Sequence, residues 1–442
     1  MSKKNALISI VRKLPPFLKH SIHFILEPKF RQYNNFLKIP KIYTKWVAPN
    51  LAFYIYWSTW FIFKFLQKKK IVFLANNISN SPGHVMQELD YFIRKARFSV
   101  KDQDIKYIII WPRSEVAQGA RNAYKKYVYK FYVSDILYAL VLPFTIRYND
   151  IIIDSSVSLV DKSINRCIKH GFRYLPVFSE GQRKFEDVWE RLYDYYALRK
   201  RTFDFVPART QSQIDPKLSR FIGIDTNKYA LIQIKCNAGN GTAKPTEPIT
   251  YVETIIFLQN SGLKVIFCGR EKMPNIFRDF GVINYAEWEY SSFYYDLQLV
   301  EHASLVISSA SGFANIPDTM EVPVVYTNQW NFNCPPSGRF TVTVPCLFYN
   351  QDNNPWKFSN QIDYFYKTRD SNSAVPEDKN PRNATGVEIL EATKEALSLK
   401  QSFIPISELQ YRFQDKFSKT PLGVSESRIS QYFINNFKTC LD

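Results

Sequence analysis

The residues with the clearest chemical potential lie in Tyr295–Trp330, YDLQLVEHASLVISSASGFANIPDTMEVPVVYTNQW. The pattern reads as helix, short buried strand, small-residue turn, helix and buried strand. In the turn Ser308-Ser309-Ala310-Ser311-Gly312, small side chains let a ligand approach the backbone N–H groups. A helix opening at Phe313 would present its positive end to an anion, and a diphosphate fits that role. The same turn would also suit any tight strand-to-helix connection. Two cations end neighbouring strands upstream: Lys235 after Tyr229–Lys235 and Arg270 after Leu263–Cys268. Glu321, before Val-Pro, is placed either to accept ribose hydroxyls or simply to cap a helix end.

A second group follows the first strand. His84, Glu88 and Asp90 belong to a helical stretch over 84–97. His84 and Glu88, four residues apart, share a face, and either could act as a base toward an acceptor hydroxyl. Asp90 points elsewhere, and a solvated face explains Glu88 equally well. Arg113, after the second strand, is a candidate acceptor contact. Trp288 in Glu287-Trp288-Glu289 is a candidate stacking partner for a nucleotide base.

Missing motifs narrow the chemistry. The chain has no G-x-G-x-x-G after a strand, no G-x-x-x-x-G-K-[ST], no H-E-x-x-H, no G-x-S-x-G and no kinase set. The one D-x-D, Asp102-Gln103-Asp104, precedes a strand and is poorly placed to hold a metal-bound diphosphate. No metal and no cofactor are therefore expected. The six cysteines show no C-x-x-C spacing, which fits a reducing compartment.

The elements that must position these groups read as two α/β units. Strands at 71–75, 107–111, 151–153 and 174–177 alternate with helical stretches. After a connector over 178–222, a second series runs through strands at 229–235, 263–268, 282–285, 304–308 and 322–327. Helices are expected at 249–259 (C-capped by Gly262), 294–302 and 313–320. Continuous Val/Ile/Leu runs of this kind indicate parallel strands covered on both faces. A late helix opens at Thr385, with Glu388 in capping-box register, and further helical segments lie at 406–417 and 425–437.

Of the 442 residues, 45 % are hydrophobic and 22 % charged, which excludes a disordered chain. The net charge of +18 is unevenly spread: residues 1–70 hold 14 Lys or Arg against one acid, Glu27, leaving only +5 for the remainder. Nucleic-acid binding by the body is therefore not expected. Trp46–Phe63 runs without a charge between basic flanks. Pro49 and Asn50 limit a helix there to Leu51–Leu66, about 24 Å long at about 1.5 Å per residue, against a hydrocarbon core of about 30 Å. An in-plane contact with an anionic membrane surface fits better than a span or a buried helix.

SSASGFANIPDTMEVPVVYTN resembles the nucleotide-sugar half of GT-B glycosyltransferases. More narrowly, the chain is similar to predicted bacterial surface-polysaccharide glycosyltransferases, through Gly83-His84-Val85-Met86-Gln87-Glu88-Leu89-Asp90-Tyr91 and the helix start over 383–389. The resemblance implies an α/β fold of two Rossmann-like domains facing a cleft, GT-B-like, behind an N-terminal basic, aromatic, membrane-associating segment. The expected divisions are the segment 1–69, an acceptor domain 70–215, a nucleotide-sugar domain 216–400 and C-terminal helices 401–442 packing back across the domains. It further implies transfer of a sugar from a nucleotide-sugar to a surface glycan or lipid-linked acceptor, at the cytoplasmic face of the inner membrane. Lys235, Arg270, Ser309, Ser311, Gly312, Phe313 and Glu321 would bind the donor. The family's His-x-Arg-like signature is replaced here by Ile234-Lys235-Cys236-Asn237, so Arg270 becomes the expected phosphate contact. A nucleotide-sugar epimerase, a polyol-phosphate transferase and a non-catalytic membrane scaffold remain open alternatives.

Overall fold

The structure, a computed structural model, describes residues 70–75, 82–98, 105–112, 115–124, 130–132, 151–155, 174–175, 185–202, 205, 213–223, 228–236, 246–329, 337–368, 378–402, 404–418 and 420–441. The basic segment 1–69 and Arg113 lie outside them.

The described strands are β1 (Lys70–Ala75), β2 (Ile105–Pro112), β3 (Lys130–Tyr132), β4 (Ile151–Ser155), β5 (Tyr174–Leu175), β6 (Tyr229–Gln233), β7 (Lys264–Phe267), β8 (Ile283–Asn284), β9 (Leu305–Ser309), β10 (Val324–Gln329), β11 (Thr341–Pro345), β12 (Leu347–Tyr349), β13 (Asn380–Arg382) and β14 (Arg428–Ile429). The helices are α1 (Pro82–Phe98), α2 (Glu115–Ala123), α3 (Phe185–Arg201), α4 (Pro216–Ile222), α5 (Val252–Asn260), α6 (Asn275–Asp279), α7 (Phe293–Glu301), α8 (Asn315–Thr319), α9 (Phe358–Thr368), α10 (Gly386–Gln401), α11 (Glu408–Lys416), α12 (Pro421–Val424) and α13 (Gln431–Asn436). None of them is long and apolar enough to cross a membrane.

The chain divides into two compact units. One holds Met1–Ser79, Ser99–Ser114 and Val128–Val177; the other holds Asn80–Phe98, Glu115–Tyr127 and Phe178–Asp442. This differs from a single cut near 215, because α1, α2 and α3 group with the second sheet. In the first unit, β1 to β5 form a parallel sheet in the order β3-β4-β2-β1-β5.

In the second unit, seven parallel strands run in the order β14-β11-β10-β9-β6-β7-β8. β6 and β9 are buried throughout, as the Val/Ile/Leu runs require when helices cover both faces. One core joins Ile232, Phe267, Ile307 and Val325 to Ile255 of α5 and Ile389 and Ala392 of α10. The expected capping box is present, Thr385 Oγ1 accepting from the Glu388 N–H and the Glu388 carboxylate accepting from the Thr385 N–H.

The stretch expected to be a connector contains a 17-residue helix, α3. Its Arg199 reaches across to α8: Nη1 donates to Asp318 Oδ2 at 2.7 Å and to Ser337 Oγ at 2.8 Å, and Nη2 donates to the Asp318 carbonyl at 2.9 Å. The pair is buried, and Ser337 and Thr341 satisfy the rest of the carboxylate. Asp318 therefore fixes the helix that follows the small-residue turn.

Candidate functional site

Chain order reverses at β6. The strands β7 and β8 extend from it on one side, and β9, β10 and β11 on the other. In open parallel sheets a crevice opens beyond the carboxyl ends of the strands at such a point. Here those ends are Gln233–Cys236, Cys268–Glu271 and Ser308–Gly312. Register pairs Gln233 with Ser308, and the exits are laced together. Ser308 Oγ donates to Gln233 Oε1 at 2.8 Å, the Lys235 N–H donates to Ser309 Oγ at 2.9 Å, and the Cys236 N–H donates to Glu271 Oε2 at 2.7 Å. Gly269 turns the β7 exit at φ +106°, and a Cβ there would lie 3.0 Å from the Gln233 side chain. That turn sends Arg270 outward. It is exposed and makes no hydrogen bond among the described residues. Lys235 is half-buried at the end of β6.

Part of the small-residue turn is held by its own hydrogen bonds. Ser311 caps it, its Oγ accepting from the Phe313 N–H at 3.2 Å, and the Ala314 N–H donates to the Ser311 carbonyl at 3.3 Å. The Asn315 N–H is likewise taken by the Gly312 and Phe313 carbonyls. The amides from Phe313 to Asn315 are therefore committed to the turn. α8 has only five residues, too few for a substantial dipole. Ser309 is buried, and Ser311 and Phe313 are half-buried parts of this turn.

Gly312 is instead a seat for α1. A Cβ on Gly83 would stand 1.4 Å from the Gly312 carbonyl oxygen, so only glycine fits there. One turn further along α1, Gln87 Oε1 accepts from Asn315 Nδ2 at 3.3 Å. This contact brings His84 beside the turn, half-buried.

The structure corrects three expectations. Glu88 is fully buried, so neither a solvated face nor a base meeting an acceptor hydroxyl describes it. Asp90 is also fully buried, and its carboxylate accepts from Arg94 Nε at 2.7 Å, Tyr195 OH at 2.8 Å and Tyr124 OH at 3.0 Å. Saturated by three donors, it anchors the helices around it. Glu321 precedes β10 and so lies at the N-terminal edge of the sheet, opposite the crevice. It pairs with Arg339 there, at φ +55°.

Sequence reasoning passes over Asp296, although it lies within the stretch richest in chemical potential. It occupies the first turn of α7, the helix that follows β8, and burial pushes its carboxyl up to about 6 against the pull of Tyr285 and Arg270. Burial and Asp296 in turn push the Tyr285 hydroxyl up. Trp288 is enclosed by protein rings: it stacks on Phe221 at 4.6 Å, with Tyr285, Tyr290 and Tyr295 around it. Burial, then Glu271, push the Cys236 thiol up to about 11, which keeps it protonated and weakly nucleophilic at neutral pH. Among the described residues no group of three His, Cys, Asp or Glu is placed to hold a metal ion. A pocket of about 490 Å³ lined by Gln259, Gly262, Lys264 and Gly281 opens at the N-terminal end of β7, away from the crevice.

No family model and no curated protein matches the chain. Among solved structures it is similar to the glycosyl transferase family 9 protein from Veillonella parvula, at 12 % identity over 76 % of this chain and 98 % of that one, with a TM-score of 0.41. It is also similar to the E. coli ADP-heptose lipopolysaccharide heptosyltransferase II, at 13 % identity over 75 % and 100 %, TM-score 0.37. A third is the iron-containing heptosyltransferase TibC with ADP-D-beta-D-heptose, at 13 % identity over 61 % of this chain and 60 % of that one, TM-score 0.35. Superpositions this loose leave the function to be read from the crevice itself.

Proposed function

We propose that the chain is a nucleotide-sugar-dependent glycosyltransferase whose donor diphosphate lies at the β6/β7/β9 crevice. The observation that carries this reading is Arg270, an exposed guanidinium without a hydrogen bond among the described residues, at the reversal point of a parallel sheet. Beside it, Lys235 adds a second cation at the end of β6. Fixed cations aimed at a leaving nucleoside diphosphate stabilise the charge that develops as the glycosidic bond breaks. His84, held beside the turn by the Gly83–Gly312 contact, is the candidate base for an acceptor hydroxyl. The reaction needs no metal in this reading.

The acceptor is a bacterial surface glycan or a lipid-linked precursor, reached at the cytoplasmic face of the inner membrane through the basic segment 1–69. Nucleic acid is not a partner. The test is thermal unfolding with UDP-, ADP- and GDP-sugars: one of them raises the melting temperature. Arg270→Ala should weaken that ligand roughly tenfold or more, the range of a charge-assisted hydrogen bond. Release of nucleoside diphosphate only when membrane extract is added separates transfer from epimerisation. A chain that no nucleotide-sugar protects is a scaffold, and the proposal fails.

A further inference from the structure

Gln233 is the last residue of β6, the strand at which chain order reverses, and it is only 6 % exposed. A side-chain amide is costly to bury unless its polar ends find partners. One end has a partner. Ser308 Oγ donates to Gln233 Oε1 at 2.8 Å, and the Ser309 carbonyl lies farther from that hydroxyl, at 3.1 Å. With its oxygen held by β9, the amide places its NH₂ group toward the exit of β7. Gly269 leaves the space for it there: a Cβ on Gly269 would stand 3.0 Å from Gln233 Cγ and 3.7 Å from Nε2. Nε2 makes no hydrogen bond among the described residues and is not sealed from solvent. The amide's N–H donors are thus left open on the strand that carries Lys235, beside the exit that carries Arg270.

We propose that Gln233 Nε2 donates to an oxygen of the donor diphosphate. This rests on the reading of the crevice as the donor site. The match is one of hydrogen-bond type. With Oε1 occupied by Ser308, the amide presents donors alone, and a diphosphate diester presents acceptors alone. Arg270 supplies charge, but an exposed guanidinium loses rotamer freedom when a ligand fixes it. Gln233 supplies direction without charge. Clamped between Ser308 and Gly269, its amide is already oriented before the ligand arrives, which is the condition for a donor to count fully in binding.

Calorimetric titration with UDP-, ADP- and GDP-glucose identifies the probe that binds. Gln233→Met keeps the length of the side chain and lets the Ser308 hydroxyl turn to the Ser309 carbonyl. It should weaken that probe roughly tenfold or more, the range of a hydrogen bond to a charged group. Gln233→Glu keeps an acceptor for Ser308 but sets a carboxylate oxygen where the NH₂ group stood. At pH 8 it should lose more affinity than Q233M. The parent nucleoside diphosphate should lose affinity by the same factor in each variant. Wild-type affinity in Q233M, wild-type affinity in Q233E, or a loss confined to the sugar-bearing probe overturns the proposal.

Melting temperatures without ligand show whether the Gln233 variants fold. Should they not, Ser308→Ala leaves Gln233 in place and removes the hydroxyl that aims its amide; probe affinity should fall about threefold or more, and unchanged affinity overturns the proposal. If no probe binds the wild-type chain, the donor reading fails and the amide contact with it. If Arg270→Ala weakens the probe and the Gln233 variants do not, the donor reading stands and the amide contact alone is overturned.

Discussion

Asp90 and Asp296 show how far the surroundings of a carboxylate, rather than its place in a motif, decide what it does. Asp90 sits in the more suggestive sequence, yet one guanidinium and two phenols saturate it. Removing one partner of a buried, hydrogen-bonded ion pair costs about 3–5 kcal/mol. Asp90→Ala should therefore lower the unfolding free energy by that amount in urea titration, and the nucleotide affinity of the fraction that stays folded should be unchanged. Asp296 has the opposite balance. Its carboxyl releases its proton near 3.8 when unfolded but at about 6 in the native state, chiefly because burial penalises the charge. Between those values the native state binds more protons, so stability falls as pH rises through the window and the deficit persists above it. It amounts to at most about 3 kcal/mol. Asp296→Asn should accordingly stabilise the protein at pH 7.5 and leave it unchanged at pH 3.5, as read by denaturation at the two values. Neither role is legible in the sequence, because Asp90 is saturated only with Tyr124 and Tyr195, far along the chain, and the shift of Asp296 follows from the depth of its burial.

Elements are more legible than residues where their pattern is apolar and short. The runs at 229–233 and 305–309 are strands because β-branched and aliphatic residues pack on both faces of a covered sheet. The sequence Phe185–Arg201 reads as a connector because its buried face is built from Tyr195, Tyr196, Arg191 and Arg199, residues that hydropathy counts as polar or ambiguous. Burial of Arg199 follows from Asp318, which no local pattern announces. The small-residue turn is legible as a turn, but the amides from Phe313 to Asn315 are engaged within it, and its glycine faces another glycine 229 positions earlier in the chain. That interlock makes a prediction about elements. Gly83→Ala would drive a methyl group into the Gly312 carbonyl, and α1 or the turn must move. Forced overpacking of this kind costs about 1–3 kcal/mol. A calorimetric scan should show the loss, accompanied by weaker nucleotide-sugar binding because the β9 exit is displaced. Thr385→Ala, which removes a cap remote from the crevice, should cost about 1 kcal/mol and leave binding unchanged.

At the scale of the whole molecule, the distribution of charge decides which surface meets which partner. The +13 concentrated in residues 1–70, against +5 for the rest of the chain, makes the N-terminus the electrostatic feature of the protein. In the proposed function the donor diphosphate meets Arg270 and Lys235 instead, so affinity for a membrane and affinity for a donor should be separable. Each Lys or Arg near an anionic surface contributes about 1 kcal/mol, screened within a Debye length. Replacing Lys19, Lys64, Lys68 and Lys69 with Gln in the full chain should therefore cost about 4 kcal/mol of vesicle binding, roughly a thousandfold in partition. Sedimentation with phosphatidylglycerol vesicles measures this, and raised salt should reduce the wild-type binding in the same direction. Nucleotide-sugar protection in thermal unfolding should be unaltered, since the proposed donor contacts are Arg270 and Lys235. Vesicle binding that survives the four changes would assign the contact to apolar insertion around Trp57 and Trp60 or to the body, and donor affinity that fell with them would show that the two functions are coupled.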